Sequence, residues 1–92
     1  MIFEHDKNRI WMEDDAGKMV AEITFPLVAD NTVDINHTFV DDCLRGQGVA
    51  GQLVQEAVKQ IRYAGWHAAV SCTYAQAWFK KHAEASDILS TQ

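Results

Sequence analysis

Three side chains along this sequence could make or break bonds: Cys72, His37 and Tyr74. Cys72 ends the run Trp66-His67-Ala68-Ala69-Val70-Ser71-Cys72, one residue before the helix signal that opens at Thr73. A thiol at a helix N-terminus is favoured as thiolate, which would make Cys72 a nucleophile. The alternative is a small buried hydrophobe, the usual fate of an isolated cysteine. His37 shares one face of the alternating run Thr32 to Val40 with Val33, Ile35 and Phe39. It is therefore either a satisfied core group or a base, paired with Cys72 if the strand carrying the cysteine runs alongside. Tyr74 falls in the first turn of the following helix and offers either a phenolic proton donor or a packing ring.

A second chemistry is written in Arg45-Gly46-Gln47-Gly48-Val49-Ala50-Gly51. Beyond it the apolar residues Val49/Ala50, Leu53/Val54, Ala57/Val58 and Ile61 form a helical stripe that stops at Gly65, which predicts a helix over 49–64. No Ser, Thr, Asp or Asn caps its start, and the first acid inside it is Glu56. Free amides behind two glycines, with the Arg45 guanidinium beside them, form a ready anion site. The glycines match the dinucleotide pattern G-x-G-x-x-G, but the acid required about 20 residues further on is missing from Val70-Ser71-Cys72-Thr73-Tyr74. A P-loop is excluded because no Gly-Lys-Ser/Thr follows.

These groups need a scaffold, and the N-terminal half supplies strands. Ile2 to His5, Arg9 to Glu13 and Lys18 to Phe25 read as strands, with Asp14-Asp15-Ala16-Gly17 as a hairpin turn. In the third, Met19, Ala21, Ile23 and Phe25 are expected inward and Lys18, Glu22 and Thr24 outward, with Pro26 closing it. A loop over 27–31 leads into the run Thr32 to Val40, completing an antiparallel meander. The stretch 32–72 then reads as a right-handed β-α-β unit with parallel strands. In the last helix Thr73 and Gln76 have capping-box spacing, and Ala75, Phe79 and Ala83 form its buried stripe. Residues 87–92 carry no strong signal.

Ninety-two residues with 48% hydrophobic content imply one domain, spanning 1–92. No apolar run approaches the roughly 20 residues that span a bilayer, and the first six residues lack the pattern of a secretory leader, so a cytoplasmic protein with no membrane partner is expected. In a reducing compartment Cys43 and Cys72 are expected to stay unbridged, and their separation supports no zinc or redox motif. A net charge of −5 argues against nucleic acid as a partner. The charge is uneven: residues 1–42 carry −7 and residues 43–92 carry +2, so the half with the anion loop is the basic one.

Read as Arg45-x-x-Gly48-x-Ala50, the loop resembles the pyrophosphate loop of the GNAT superfamily of acyl-CoA N-acyltransferases. The flanks share the resemblance: His37-Thr38-Phe39-Val40 before it, Ser71-Cys72-Thr73-Tyr74 and Phe79-Lys80-Lys81-His82 after it. Together they are similar to short single-domain GNAT-like proteins with a Cys-x-Tyr motif after the helix. Two departures stand out: Val70 replaces a proline before Cys-x-Tyr, and Ala83-Glu84-Ala85-Ser86 replaces a Pro-Glu-Tyr segment.

The resemblance implies an α/β domain of GNAT-like fold, with antiparallel N-terminal strands followed by β-α-β-α. It also implies acetyl-CoA or coenzyme A as cofactor, lying where the strands ending at Val40 and Cys72 diverge. The strand edge at Phe39 and Val40 would hold the pantetheine, and Arg45, Gly46, Gln47, Gly48, Val49, Ala50 and Gly51 the pyrophosphate. Tyr74 would protonate the leaving thiolate and contact the cofactor. Phe79, Lys80, Lys81 and His82 would extend the binding surface, although the two lysines and His82 also suit a solvated helix end and Phe79 the core. The implied activity is acetyl transfer to an amine, directly or through Cys72, with a base or water taking the amine's proton; His37, by its strand position, is the candidate base. The acidic half favours a cationic acceptor. A coenzyme A binder without turnover, or a small protein-interaction module, are the alternatives.

Overall fold

In the computed structural model, which describes residues 2–90, strands joined by tight turns fill the first half of the chain. β1 (Phe3–Asp6), β2 (Arg9–Glu13) and β3 (Met19–Thr24) pair antiparallel. The β2–β3 turn forms because one carboxylate oxygen of Asp14 accepts the N–H groups of Ala16 and Lys18, each at 2.9 Å, while Gly17 takes φ 83°. The expected inward set of β3 is corrected at its start. Met12 faces Ala21 but Glu13 faces Met19, so Val20 is an extra residue, and Val20 and Ala21 are both buried while Met19 is half-buried.

The region expected to be a loop at 27–31 instead contains β4 (Leu27–Ala29), which pairs antiparallel with β5 (Thr32–Ile35) around Asn31 at φ 57°. Asparagine is among the few residues that tolerate that left-handed conformation. The run Thr32 to Val40 is likewise two strands, β5 and β6 (His37–Val40), separated at Asn36. Thr24 faces His37 while Leu27 faces Val33, so the β5–β6 side holds one more residue than its partner. An extra residue exchanges the two faces of a strand. Val33 and Ile35 accordingly lie fully inside, whereas His37 and Phe39, expected on the same face, point outward.

Asn36 also marks a change of neighbours. β5 runs parallel to β7 (His67–Val70), but β6 pairs only with β3 among the described strands. The orders are β1-β2-β3-β6 and β4-β5-β7. Asn36 N–H to Thr24 O and Asp34 N–H to Pro26 O carry pairing across the bend between the two. β6 and the chain beyond β7 diverge from Ile35, whose carbonyl accepts the amides of both Ser71 and Cys72 at 3.1 Å.

α1 (Val49–Ala64) crosses β2, β3 and β6 with Val49, Leu53, Val54, Ala57, Val58 and Ile61 buried against them. It ends as expected at Gly65, φ 78°, whose N–H bonds back to the helix. Fully burying a side chain such as Leu53 or Ile61 stabilises by about 1.5–3 kcal/mol, so α1 anchors the sheet it covers. α2 (Thr73–Lys81) buries Ala75 and Phe79. The capping box is not made: Cys72 is the N-cap residue, Thr73 is already helical, and the Gln76 amide donates to Val70 O at 2.9 Å. The expected stripe also breaks, because His82 leaves helical geometry and Ala83 is exposed. A 3-10 segment, Ala83–Ile88, buries Ala85 and Ile88 in its place, and Arg62 on α1 holds Asp87 through two hydrogen bonds of 3.0 and 2.6 Å. No helix among the described residues is long and apolar enough to cross a membrane.

Candidate functional site

The site is built where the sheet opens. α1 starts at Val49 behind Gly48, which takes φ 73°, and Gly46 takes φ 81°. Left-handed geometry twice in three residues needs glycine, because a Cβ there is strained by about 1–2 kcal/mol. The first helical bond of α1 runs from Gln52 N–H to Gly48 O, so the amides of Val49, Ala50 and Gly51 precede it. No side chain caps them and no acid lies in the first turn. Their combined dipole therefore faces outward with nothing to neutralise it.

These amides open into a cleft of about 180 Å³ lined by Val40, Leu44, Arg45, Gly46, Gly48, Val49, Ala50, Gly51 and Tyr74. β6 contributes Val40, the loop and α1 the central residues, and α2 the tyrosine. Tyr74 reaches across to α1: a methyl at Gly51 would lie 3.6 Å from its hydroxyl and 3.6 Å from the Trp78 indole nitrogen. Arg45 is exposed and pairs with Asp42 at 2.9 Å. Such an exposed pair is weak, so the guanidinium is available for a stronger anion. Asp41 caps the 3-10 turn Asp42–Leu44 by accepting Cys43 N–H at 3.0 Å. The Cys43 amide and thiol, with Lys18 beside them, hold the Asp41 carboxyl below its usual range, and Asp41 in turn pushes the Cys43 thiol up.

The remaining expected site residues are dispersed. Cys72 is half-buried and its thiol donates to the Thr38 hydroxyl at 3.5 Å. His37 faces Glu22, with Nε2 3.6 Å from the carboxylate, and Glu22 also binds Arg9. The geometry thus gives Cys72 a partner other than His37. Alternation sends Thr38 to one face of β6 and His37 to the other, which breaks the expected Cys72–His37 arrangement. Both cysteines are free. Phe39 is 37% exposed and Gln47 is exposed in the loop.

Phe79 is 7% exposed in the core, and together with Lys80 it lines a different cleft of about 430 Å³ beside β7, bounded by Ala69, Val70 and Leu89. That larger cleft shares no lining residue with the one at the α1 N-terminus. Lys81 is exposed, while the His82 ring stacks on Trp78 at 3.9 Å and its Nδ1–H donates to Trp78 O at 2.7 Å. Sequence reasoning missed Thr38, Glu22 and Leu44. The register near Asn36, which decides what Thr38 and Glu22 meet, leaves no local signal in the sequence; Leu44 reads as an ordinary apolar residue. Among the described residues no group of three His, Cys, Asp or Glu is placed to hold a metal ion.

Comparison with known proteins agrees with this architecture. A sequence model described as GCN5-related N-acetyl-transferase matches residues 9–88. Protein NATD1 of Xenopus tropicalis is 32% identical over 62 residues, which are 67% of this chain and 57% of that protein; the chain therefore spans little more than half of that relative's length. The solution structure of a GCN5-like protein from Staphylococcus aureus superposes with a TM-score of 0.80 at 30% identity, covering 99% of this chain and 89% of the other. An Escherichia coli GNAT family N-acetyltransferase solved in complex with CoA has a TM-score of 0.59 at 26% identity, covering 67% of this chain and 38% of its own. With its model matched over most of the sequence and its fold reproduced, this chain belongs to the GCN5-related N-acetyltransferase family.

Proposed function

We propose that this chain binds acetyl-CoA and transfers the acetyl group to a cationic amine. The observation that carries the reading is the single cleft formed by the uncapped start of α1, Arg45, Val40 and Tyr74. The donor set fits the group: three outward amides and a guanidinium suit a pyrophosphate, and the strand edge of β6 beside the divergence suits an amide-bearing arm.

In this reading Gly46, Gln47, Gly48, Val49, Ala50, Gly51 and Arg45 hold the pyrophosphate, and the edge of β6 at Phe39 and Val40 orients the arm. The bound thioester supplies an activated acetyl carbon. The chain holds the acceptor nitrogen next to it, which replaces a bimolecular encounter by a local one. His37, open to solvent beside Glu22, accepts the proton released as the amine adds to the carbonyl. Tyr74 returns a proton to the sulfur as the carbon–sulfur bond breaks. Cys72, on the opposite face of β6 from His37, is the nucleophile only if its thiol leaves Thr38. Lys80, Lys81 and His82 extend the surface at the end of α2. The cytoplasm is the compartment that supplies the cofactor.

Intact-mass measurement after incubation with acetyl-CoA, together with thermal unfolding, tests the reading. Coenzyme A at 100 times its dissociation constant stabilises by about 2.7 kcal/mol, several degrees for a domain of this size, and Arg45→Glu removes the rise. No shift at saturation rejects the cofactor. A shift without acetylation of any amine leaves a coenzyme A binder, and a stable +42 Da adduct lost in Cys72→Ala assigns the cysteine route (roughly the mass of an acetyl replacing a proton).

A further inference from the structure

Among the described residues, the antiparallel sheet has one face covered by α1 and one face with no helix over it. Register puts Glu4, Trp11, Glu22 and Phe39 opposite one another in a single row across β1, β2, β3 and β6 on the uncovered face. Neighbouring strands lie about 4.8 Å apart, so the row is roughly 14 Å long. Carboxylates and aromatic rings therefore alternate along the row, with Trp11 between Glu4 and Glu22 and Phe39 at its end. Glu13 joins the row by accepting the Trp11 indole N–H at 3.0 Å, and Arg9, 4.1 Å from the centre of that ring, shows that the ring accepts a cation. Glu4 is exposed and makes no ion pair among the described residues. Among the described residues, Arg9 and His37 are the basic groups of this face, and both are turned to Glu22, which leaves Glu4, Asp6 and Glu13 without cationic partners there.

We propose that this face docks an extended basic polypeptide segment, which carries the acceptor amine to β6. The inference rests on the acetyl-transfer reading for its purpose, but the docking itself does not require turnover. Charge complementarity selects a cationic partner, and the exposed ring of Phe39 with the half-buried ring of Trp11, which already carries Arg9, favours Lys or Arg side chains over a merely positive counter-ion. The shape decides between a chain and a small amine. A small molecule is held in a concavity that buries most of its surface, whereas this row crosses a sheet four strands wide, a span that successive residues of an extended chain can follow. The row ends at Phe39 on β6, next to His37 and beside the open strand edge, so a segment lying along it delivers its end or one side chain to the divergence of β6 and β7.

The test is titration of the full chain, without cofactor, with a fluorescently labelled ten-residue peptide alternating Lys and Ala, alongside spermine and an acidic peptide of equal length. The proposal expects the basic peptide to bind, to change Trp11 indole resonances, and to weaken as salt rises. Glu4→Gln/Glu13→Gln removes two exposed charges from the row and should weaken binding roughly three- to tenfold, while the melting temperature and the coenzyme A-induced shift stay at wild-type values. Unchanged peptide affinity in that variant overturns the proposal, as does a footprint centred on Asp14, Asp15, Asp41 and Asp42. Spermine binding as tightly as the peptide overturns the polypeptide occupant. Loss of the coenzyme A response with peptide binding intact would instead reject the cofactor reading and leave the docking face standing.

Discussion

The thiol of Cys72 meets the hydroxyl of Thr38, and one residue earlier on the same strand His37 turns to the opposite face to meet Glu22. The histidine therefore does not set the reactivity of the cysteine. Iodoacetamide should modify Cys72 in His37→Asn at a rate within about twofold of wild type, because no hydrogen bond joins the two. Thr38→Val, which removes the thiol's partner, should change that rate. A drop of tenfold or more in the histidine variant would show that the pair forms in solution.

Cys43 is governed by Asp41. The carboxylate pushes the thiol up by accepting its hydrogen bond, so the thiolate fraction near neutral pH is smaller than for an ordinary cysteine. Exposed as it is, Cys43 should alkylate slowly near pH 7.5, and its rate–pH profile should lie at higher pH than that of a free thiol. Asp41→Asn should move the profile down in pH and raise the rate severalfold. An unchanged profile in that variant would remove Asp41 as the cause.

Gly51 and Gly48 should respond oppositely to alanine. Gly51 is inside α1 without a positive φ, and an added methyl meets Tyr74 and Trp78 at ordinary contact distance. Gly51→Ala should stabilise by up to about 1 kcal/mol through helix propensity. The methyl also stands in the cleft beneath the tyrosine hydroxyl, so coenzyme A should bind more weakly, read by calorimetric titration. Gly48→Ala must adopt φ 73° and should destabilise by about 1–2 kcal/mol in urea unfolding. Equal effects of the two substitutions on stability would contradict the glycine assignments.

Acid should weaken the tie between α1 and the C-terminal segment. Arg62 lowers the Asp87 carboxyl from its ordinary 3.8, so the stabilisation is fully present above that value and is lost as pH falls through the lower folded value. The melting temperatures of wild type and Asp87→Asn should differ modestly at pH 7, because the pair is exposed, and should converge as pH falls past the lowered folded value. A difference that grows as pH falls would have the wrong sign for this pair.

α1 and the glycine loop were legible because their signals are local: apolar spacing, a glycine at each end, and the missing cap. The β5–β7 parallel pairing followed from the β-α-β order. What the alternation of residues 32–40 could not reveal was the single extra residue near Asn36, since it is defined against β3 and β4, far away in sequence. That residue turned His37 and Phe39 to the open face and left Thr38 to Cys72. The same limit applies to Thr73 and Gln76, whose capping-box spacing was overridden when Cys72 took the N-cap position and Gln76 found Val70 O. Phe79 fits both the core stripe and the family-like segment, and burial assigns its ring to the core.

The central claim, that the start of α1 is the anion end of a coenzyme A site, is tested most directly by amide chemical-shift mapping during titration with coenzyme A. The account predicts the largest, saturable changes at Gly46, Gly48, Val49, Ala50 and Gly51, with smaller ones along His37–Val40, and their loss in Arg45→Glu. Changes confined to the cleft of Ala69, Phe79, Lys80 and Leu89, or no saturable change, would contradict it.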